Sequence, residues 1–198
     1  MTATEETSHP IERNRQRVEE SPESAAAHFN LGLAYTNRGV ADRAERHYRK
    51  ALELEPDLVE AWINLGGVLL LKWDFDGSMA ANEEALKRQP DLHMAHYNIG
   101  QAHLYLGDAD GVVRSYRRLI ELAPDHAGAH YFLAVGLLAS GRAADAREEL
   151  TRARALGYSP APEFLKALNA AAKELAQSRN NDTETPIKTD PRDKEKEA

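Results

Sequence analysis

Apolar residues in the central part of the chain recur at helical spacing, in pairs of runs separated by short breaks that carry Gly39, Gly107 and Gly141. Four stretches superimpose: "AHFNLGLAYTNRG", "AWINLGGVLLLKW", "AHYNIGQAHLYLG" and "AHYFLAVGLLASG". They begin at Ala27, Ala61, Ala95 and Ala129, a constant step of 34 residues. A second set, "ALELEPD", "ALKRQPD" and "LIELAPD", puts Pro56, Pro90 and Pro124 at the same step, and Tyr158 takes the fourth place. Each unit therefore reads as helix, turn, helix, closed by proline. Neither helix of a unit can hide its apolar stripe alone, so neighbouring units must stack, and the predicted fold is an all-α solenoid.

The units resemble the tetratricopeptide repeat, whose eight signature places are large, large, small, large, small, aromatic or large, small, and Pro. The first unit, 25–58, fills them with His28, Leu31, Gly32, Tyr35, Ala44, Tyr48, Ala51 and Pro56. The second, 59–92, has Trp62, Leu65, Gly66, Leu69, Ser78, Asn82, Ala85 and Pro90, departing at Asn82 and at Trp73, which stands where glycine is usual. The third, 93–126, has His96, Ile99, Gly100, His103, Val112, Tyr116, Leu119 and Pro124. The fourth, 127–160, offers His130, Leu133, Ala134, Leu137, Ala146, Leu150 and Ala153 and ends at Tyr158 without its proline. The resemblance implies a right-handed superhelical solenoid of helix-turn-helix repeats, an α-α superhelix.

The remaining segments read as ends of that stack. Residues 161–178 hold proline near the start and Phe164, Leu165, Leu168, Ala172 and Leu175 at helical spacing, as expected of a capping helix over the last open face. Residues 179–198 have the polar, aromatic-free composition of a disordered tail. Upstream, 10–24 is expected to be an N-terminal helix and linker ending at a proline-serine break, and 1–9 a flexible N-terminus.

Composition narrows the function. A formal charge of −7 argues against a general nucleic-acid binder and against a surface drawn to anionic lipid, without excluding a local basic patch. No cysteine is present, which rules out disulfides, thiolate zinc sites and cysteine nucleophiles and agrees with a reducing compartment. No run approaches the ~20 apolar residues of a membrane span, and "MTATEETSHP" lacks the order of a secretion signal. A cytoplasmic protein is expected.

The histidines are the catalytic temptation. His93, His96 and His103 share about 80° of one helix face. His96 and His103, however, are about 10.5 Å apart along the axis, too far for two bonds of about 2.1 Å to one metal. By alignment they occupy packing places that sister units fill with Trp, Tyr and Leu. His126 and His130 lack the glutamate of the His-Glu-x-x-His zinc pattern. No Gly-x-Ser-x-Gly, phosphate-binding loop or Gly-x-Gly-x-x-Gly is present. The pairs Glu83–Glu84 and Glu148–Glu149 and the cluster Arg114, Arg117, Arg118 read as solvated helix faces. No enzyme, metal site or cofactor is expected.

The opposite face of the first helices is the informative one. Its positions are Ala26, Asn30, Leu33, Asn37; Glu60, Asn64, Gly67, Leu71; Met94, Asn98, Gln101, Tyr105; and Gly128, Phe132, Val135, Ala139. Only Glu60 of these sixteen is charged, whereas a chain with 29% charged residues would place about four or five there. In the family resembled, these places line the concave wall that holds a peptide or partner helix. Flanking them are Phe29, Ile63, Tyr97 and Tyr131. The amides of Asn30, Asn64 and Asn98 repeat every 34 residues and offer donor and acceptor to an extended backbone, as in the inner row of O-linked N-acetylglucosamine transferases. The expected groove thus comprises Phe29, Asn30, Leu33, Asn37, Ile63, Asn64, Leu71, Met94, Tyr97, Asn98, Gln101, Tyr105, Tyr131, Phe132 and Val135, and the expected partner is an apolar, extended or helical segment of a protein. The co-chaperone clamp for chaperone C-termini requires cations where this chain has Phe29 and Met94, so that specificity is not expected. The alternative is a structural subunit, or a homo-oligomer, that buries the same strip.

Overall fold

The computed structural model describes residues 10–183, the outermost of them by backbone alone. Among the described residues there are ten helices and no strand: α1 (Pro10–Glu20), α2 (Ala25–Thr36), α3 (Ala41–Leu54), α4 (Val59–Leu71), α5 (Phe75–Arg88), α6 (His93–Leu106), α7 (Ala109–Leu122), α8 (Ala127–Ala139), α9 (Ala143–Ala155) and α10 (Pro162–Thr183). The expected flexible segment 1–9 and residues 184–198 of the expected tail lie outside the described residues. Helix α10 corrects the boundary drawn from composition: it continues through 179–183, which were expected to be disordered. No proline or glycine interrupts 163–183, and an established helix adds polar residues at little cost because nucleation has already occurred.

Local chemistry places the ends. Side chains of Ser24, Asp74, Asp108 and His126 accept from the backbone N–H three residues on, capping α2, α5, α7 and α8. The breaks inside the pairs use the left-handed region at Gly39, Gly107 and Gly141, where a missing Cβ removes the steric penalty. Trp73 does the same job with φ +64 and has no such freedom.

The helices stack in sequence: α2 on α3, α4 on α5, α6 on α7 and α8 on α9, with each pair packed on the next. Helix α4 also touches α2 and α6, so the first helices form one layer and the second helices another. Within pairs the helices approach closely through glycine. A Cβ on Gly32 would lie 2.8 Å from the Tyr48 ring, and one on Gly100 2.7 Å from Tyr116. Both tyrosines are fully buried, which is worth on the order of 2 kcal/mol each. In the second pair Asn82 takes the tyrosine's place against Gly66.

That smaller polar residue marks a division of the core. One apolar cluster runs from Leu31 to Ala81, another from Val112 to Leu168. Between them lie buried Ser78, Asn82 and Asn98.

A repeated hydrogen bond ties each first helix to the turn before it. His28 Nε2 lies 3.0 Å from the Pro22 carbonyl, Trp62 Nε1 2.8 Å from Pro56, His96 Nε2 3.2 Å from Pro90 and His130 Nε2 2.8 Å from Pro124. A carbonyl only accepts, so each ring donates its N–H. The three histidines therefore do the work that the indole does in the second unit, and at His28 and His96 the geometry assigns the Nε2–H tautomer.

Candidate interaction surface

The low-charge strip divides into an open part and a part committed to packing. Leu33, Asn37, Leu71, Met94 and Tyr105 are exposed, and Asn30 and Asn64 are half-buried. Leu71 is 69% exposed at the end of α4, although that helix packs on four neighbours. The side chain of Asn64 donates to the Glu60 carbonyl of its own helix at 2.7 Å, leaving its Oδ1 to accept from elsewhere. The backbone carbonyl of Asn30 accepts from Asn14 of α1 at 3.3 Å. Phe29 and Ile63 are half-buried, with Phe29 5.8 Å from the Tyr48 ring.

The third and fourth units are different. Asn98 is only 7% exposed, and its amide donates to Asn82 Oδ1 at 3.1 Å. The side chain of Gln101 donates to the Tyr116 hydroxyl. Phe132 stacks on Tyr116 at 5.3 Å and Tyr131 on Tyr158 at 4.4 Å, while Tyr97 meets Tyr116 edge-on and Val135 packs against the second core cluster. Burial, reinforced by Tyr105, pushes the Tyr97 hydroxyl above its ordinary range. The asparagine row is periodic in sequence and unequal in space: Asn30 and Asn64 are half-buried, and Asn98 is buried and bonded to the preceding unit.

One part of the surface was not identified from the sequence. Trp73, 71% exposed, lies 5.3 Å from Tyr105 and 5.9 Å from Phe75, and Phe75 stacks on Tyr105 at 5.2 Å. With Leu71 and exposed Leu106 they give this rim of the strip an aromatic edge. The available signal was Trp73 in a glycine's place, which reads in sequence only as a departure.

The remaining chemistry is internal. His93 is exposed, His96 is bonded to Pro90, and His103 Nδ1 lies 3.0 Å from Asp108. A hydrogen bond from the Gly111 N–H, then burial against it and the nearby His103, leaves the Asp108 carboxyl below its usual range. Among the described residues no group of three His, Asp or Glu could hold a metal ion. Glu84 pairs with Lys87 and Arg88, Glu149 with His130 and Arg152, and Arg118 with Asp91 and Glu121. No helix among the described residues is long and apolar enough to cross a membrane.

Comparison with known proteins agrees with this fold. Sequence models of the Tetratricopeptide repeat match residues 25–58 and 97–160. No curated protein matches the chain. Solved structures that share the fold include MamA, with a TM-score of 0.71 at 18% identity, covering 74% of this chain and 85% of that one. MamA from Desulfovibrio magneticus RS-1, residues 41 to the end, gives 0.70 at 20% identity, covering 74% and 82%. MamA AMB-1 gives 0.68 at 21%, covering 74% and 86%. These likenesses concern the fold, and the two sequence matches fall on helix pairs of the same solenoid: the chain belongs to the tetratricopeptide-repeat family.

Proposed function

We propose that the chain is a non-enzymatic interaction module that holds an apolar, extended or helical segment of a partner protein along the open part of the inner strip. The observation that carries this reading is the exposed group Leu71, Trp73 and Tyr105 at the edge of a nearly uncharged wall. Tryptophan and tyrosine are over-represented among the few residues that carry most of an interface's binding energy. Trp73 adds a second argument, because a non-glycine residue held at positive φ persists where something other than local stability favours it. Asn30 and Asn64 supply polar contacts to a bound backbone, and Leu33 and Met94 extend the apolar contact. A chain without cysteine suits a cytoplasmic setting.

Site-specific photo-crosslinking tests the reading. A crosslinker at Leu71 or Tyr105 should trap a defined partner, and one at exposed Arg117 on α7 should not. Equal labelling from both faces would sink it. The same exposed rim also favours a second reading, in which another copy of the chain covers it. Light scattering over a concentration series separates the two, since a monomer at all concentrations removes self-association.

A further inference from the structure

We propose that the hollow between α1, α2 and α3, away from the inner strip, binds a phosphoryl dianion, free or carried as a phosphomonoester. The cavity is about 440 Å³, several times the size of a phosphoryl group, and none of its lining residues belongs to the groove. Arg15 of α1 and Arg43, Arg46 and Lys50 of α3 place four cations around it, in a chain whose formal charge is −7. His28 and Tyr35 of α2 and His47 of α3 complete the wall.

Of the four cations Lys50 pairs with Glu53, and among the described residues the three guanidinium groups have no carboxylate of their own. Nearby carboxylates are already engaged: Asp42 by Lys72, Glu45 by Lys72 and Arg49, and Glu53 by Lys50. Arg43 lies over the Tyr35 ring at 5.4 Å, and its guanidinium is 3.5 Å from that hydroxyl. Among the described residues Arg15, Arg43 and Arg46 form no ion pair, although Arg46 acts on Asp42 from a distance. Convergent, unpaired guanidinium groups are the arrangement that recognises a phosphoryl group by charge-assisted, bidentate hydrogen bonds.

The imidazoles add a donor that depends on the ligand. His28 donates from Nε2 to Pro22, so its Nδ1 accepts, and His47 Nδ1, 3.1 Å away, donates to it. That leaves Nε2 unprotonated on the His47 ring, which lines the hollow with Arg43, Arg46 and Lys50 of its own helix and Tyr35, His28 and Arg15 of the other two. A bound dianion reverses the local field, so His47 takes up a proton at Nε2 and turns it toward the ligand.

The test is calorimetric titration of the full chain with inorganic phosphate and, separately, O-phosphoserine, at near-neutral pH in buffers of different ionisation enthalpy. Saturable binding of at least one is expected, with proton uptake visible as a buffer-dependent heat. The variant R43Q/R46Q should weaken it by roughly tenfold or more, while R114Q/R117Q, on α7, should leave it unchanged. Preference for inorganic phosphate identifies the free ion as ligand, and preference for O-phosphoserine identifies a carried group. All these side chains are on the surface, and circular dichroism verifies folding, with R15Q as a milder second variant. Equal affinity in R43Q/R46Q and wild type overturns the site, as does absence of saturation by either ligand at about 10 mM.

Discussion

Asn98 of α6 donates its side-chain amide to Asn82 of α5, and both residues are buried where the apolar core is interrupted. The cause lies one turn deeper. Asn82 occupies the position that Tyr48 and Tyr116 fill in other units, and in turn bonds the Ser78 carbonyl at 2.8 Å. Its side chain is too short to fill the tyrosine's volume, and Asn98 turns inward to complete the polar set. Position 98 is a strut between units.

Asn98→Ala should therefore cost about 1–3 kcal/mol, because it leaves Asn82 Oδ1 buried without its donor. Asn64→Ala, which removes only a bond to its own helix, should stay within about 0.5 kcal/mol of wild type. Urea unfolding of both variants measures the difference. Equal stabilities would show that the buried amide pair contributes nothing.

Trp73→Gly separates stability from binding. Relief of the left-handed conformation should gain about 1–2 kcal/mol, and loss of the ring contacts with Tyr105 and Phe75 should cost about 0.5–1.5 kcal/mol. Thermal unfolding should therefore shift little, whereas crosslinking of a partner from Tyr105 should fall severalfold. A protein that unfolds much earlier while keeping its partner would reverse the role assigned to Trp73.

Acid should destabilise the first helical pair through His47. Burial first, then His28 and Arg46, hold its pKa down to about 4 from the ordinary 6.5. The unfolded chain thus takes up a proton near 6.5 and the folded chain does so only near 4, so acid favours unfolding across that interval. This contribution is fully present above 6.5 and declines as the pH falls to about 4. Urea midpoints in phosphate-free buffer should fall with pH over this range, and less steeply for His47→Gln.

His130→Phe should be the most damaging of the histidine substitutions. His130 meets both the Pro124 carbonyl and, at 2.6 Å, Glu149, whose side chain is largely buried. Removing the ring nitrogens leaves the Pro124 carbonyl and Glu149 Oε2 without their donor, although Arg152 still holds Oε1, and should cost about 1–3 kcal/mol. His96→Phe removes a single bond in a half-buried setting and should cost less. Denaturant unfolding ranks the two, and the reverse order would place the weight of the ladder elsewhere.

The period of 34 residues, the glycine breaks and the prolines made the helical pairs and their stacking readable before any coordinates. An apolar stripe that cannot be buried alone permits few alternatives. The packing role of His96 was legible for the same reason, since its sister positions hold Trp62, His28 and His130. The strip's lack of charge was equally plain. Its division was not. Whether Asn30, Asn64 and Asn98 face a partner depends on the volume of the residue beneath each one, and the residue beneath Asn98 comes from the preceding unit.

By itself, then, the sequence determined the all-helical solenoid and the side of it that carries few charges, because both follow from residue spacing along single helices. Tertiary structure decided that Asn98 is buried, that Trp73 and Tyr105 share one exposed edge, and that Arg15 joins Arg43 and Arg46 around one hollow. Each of those outcomes depends on which residues of different helices meet, and that is set by helix packing rather than by the period of any one helix.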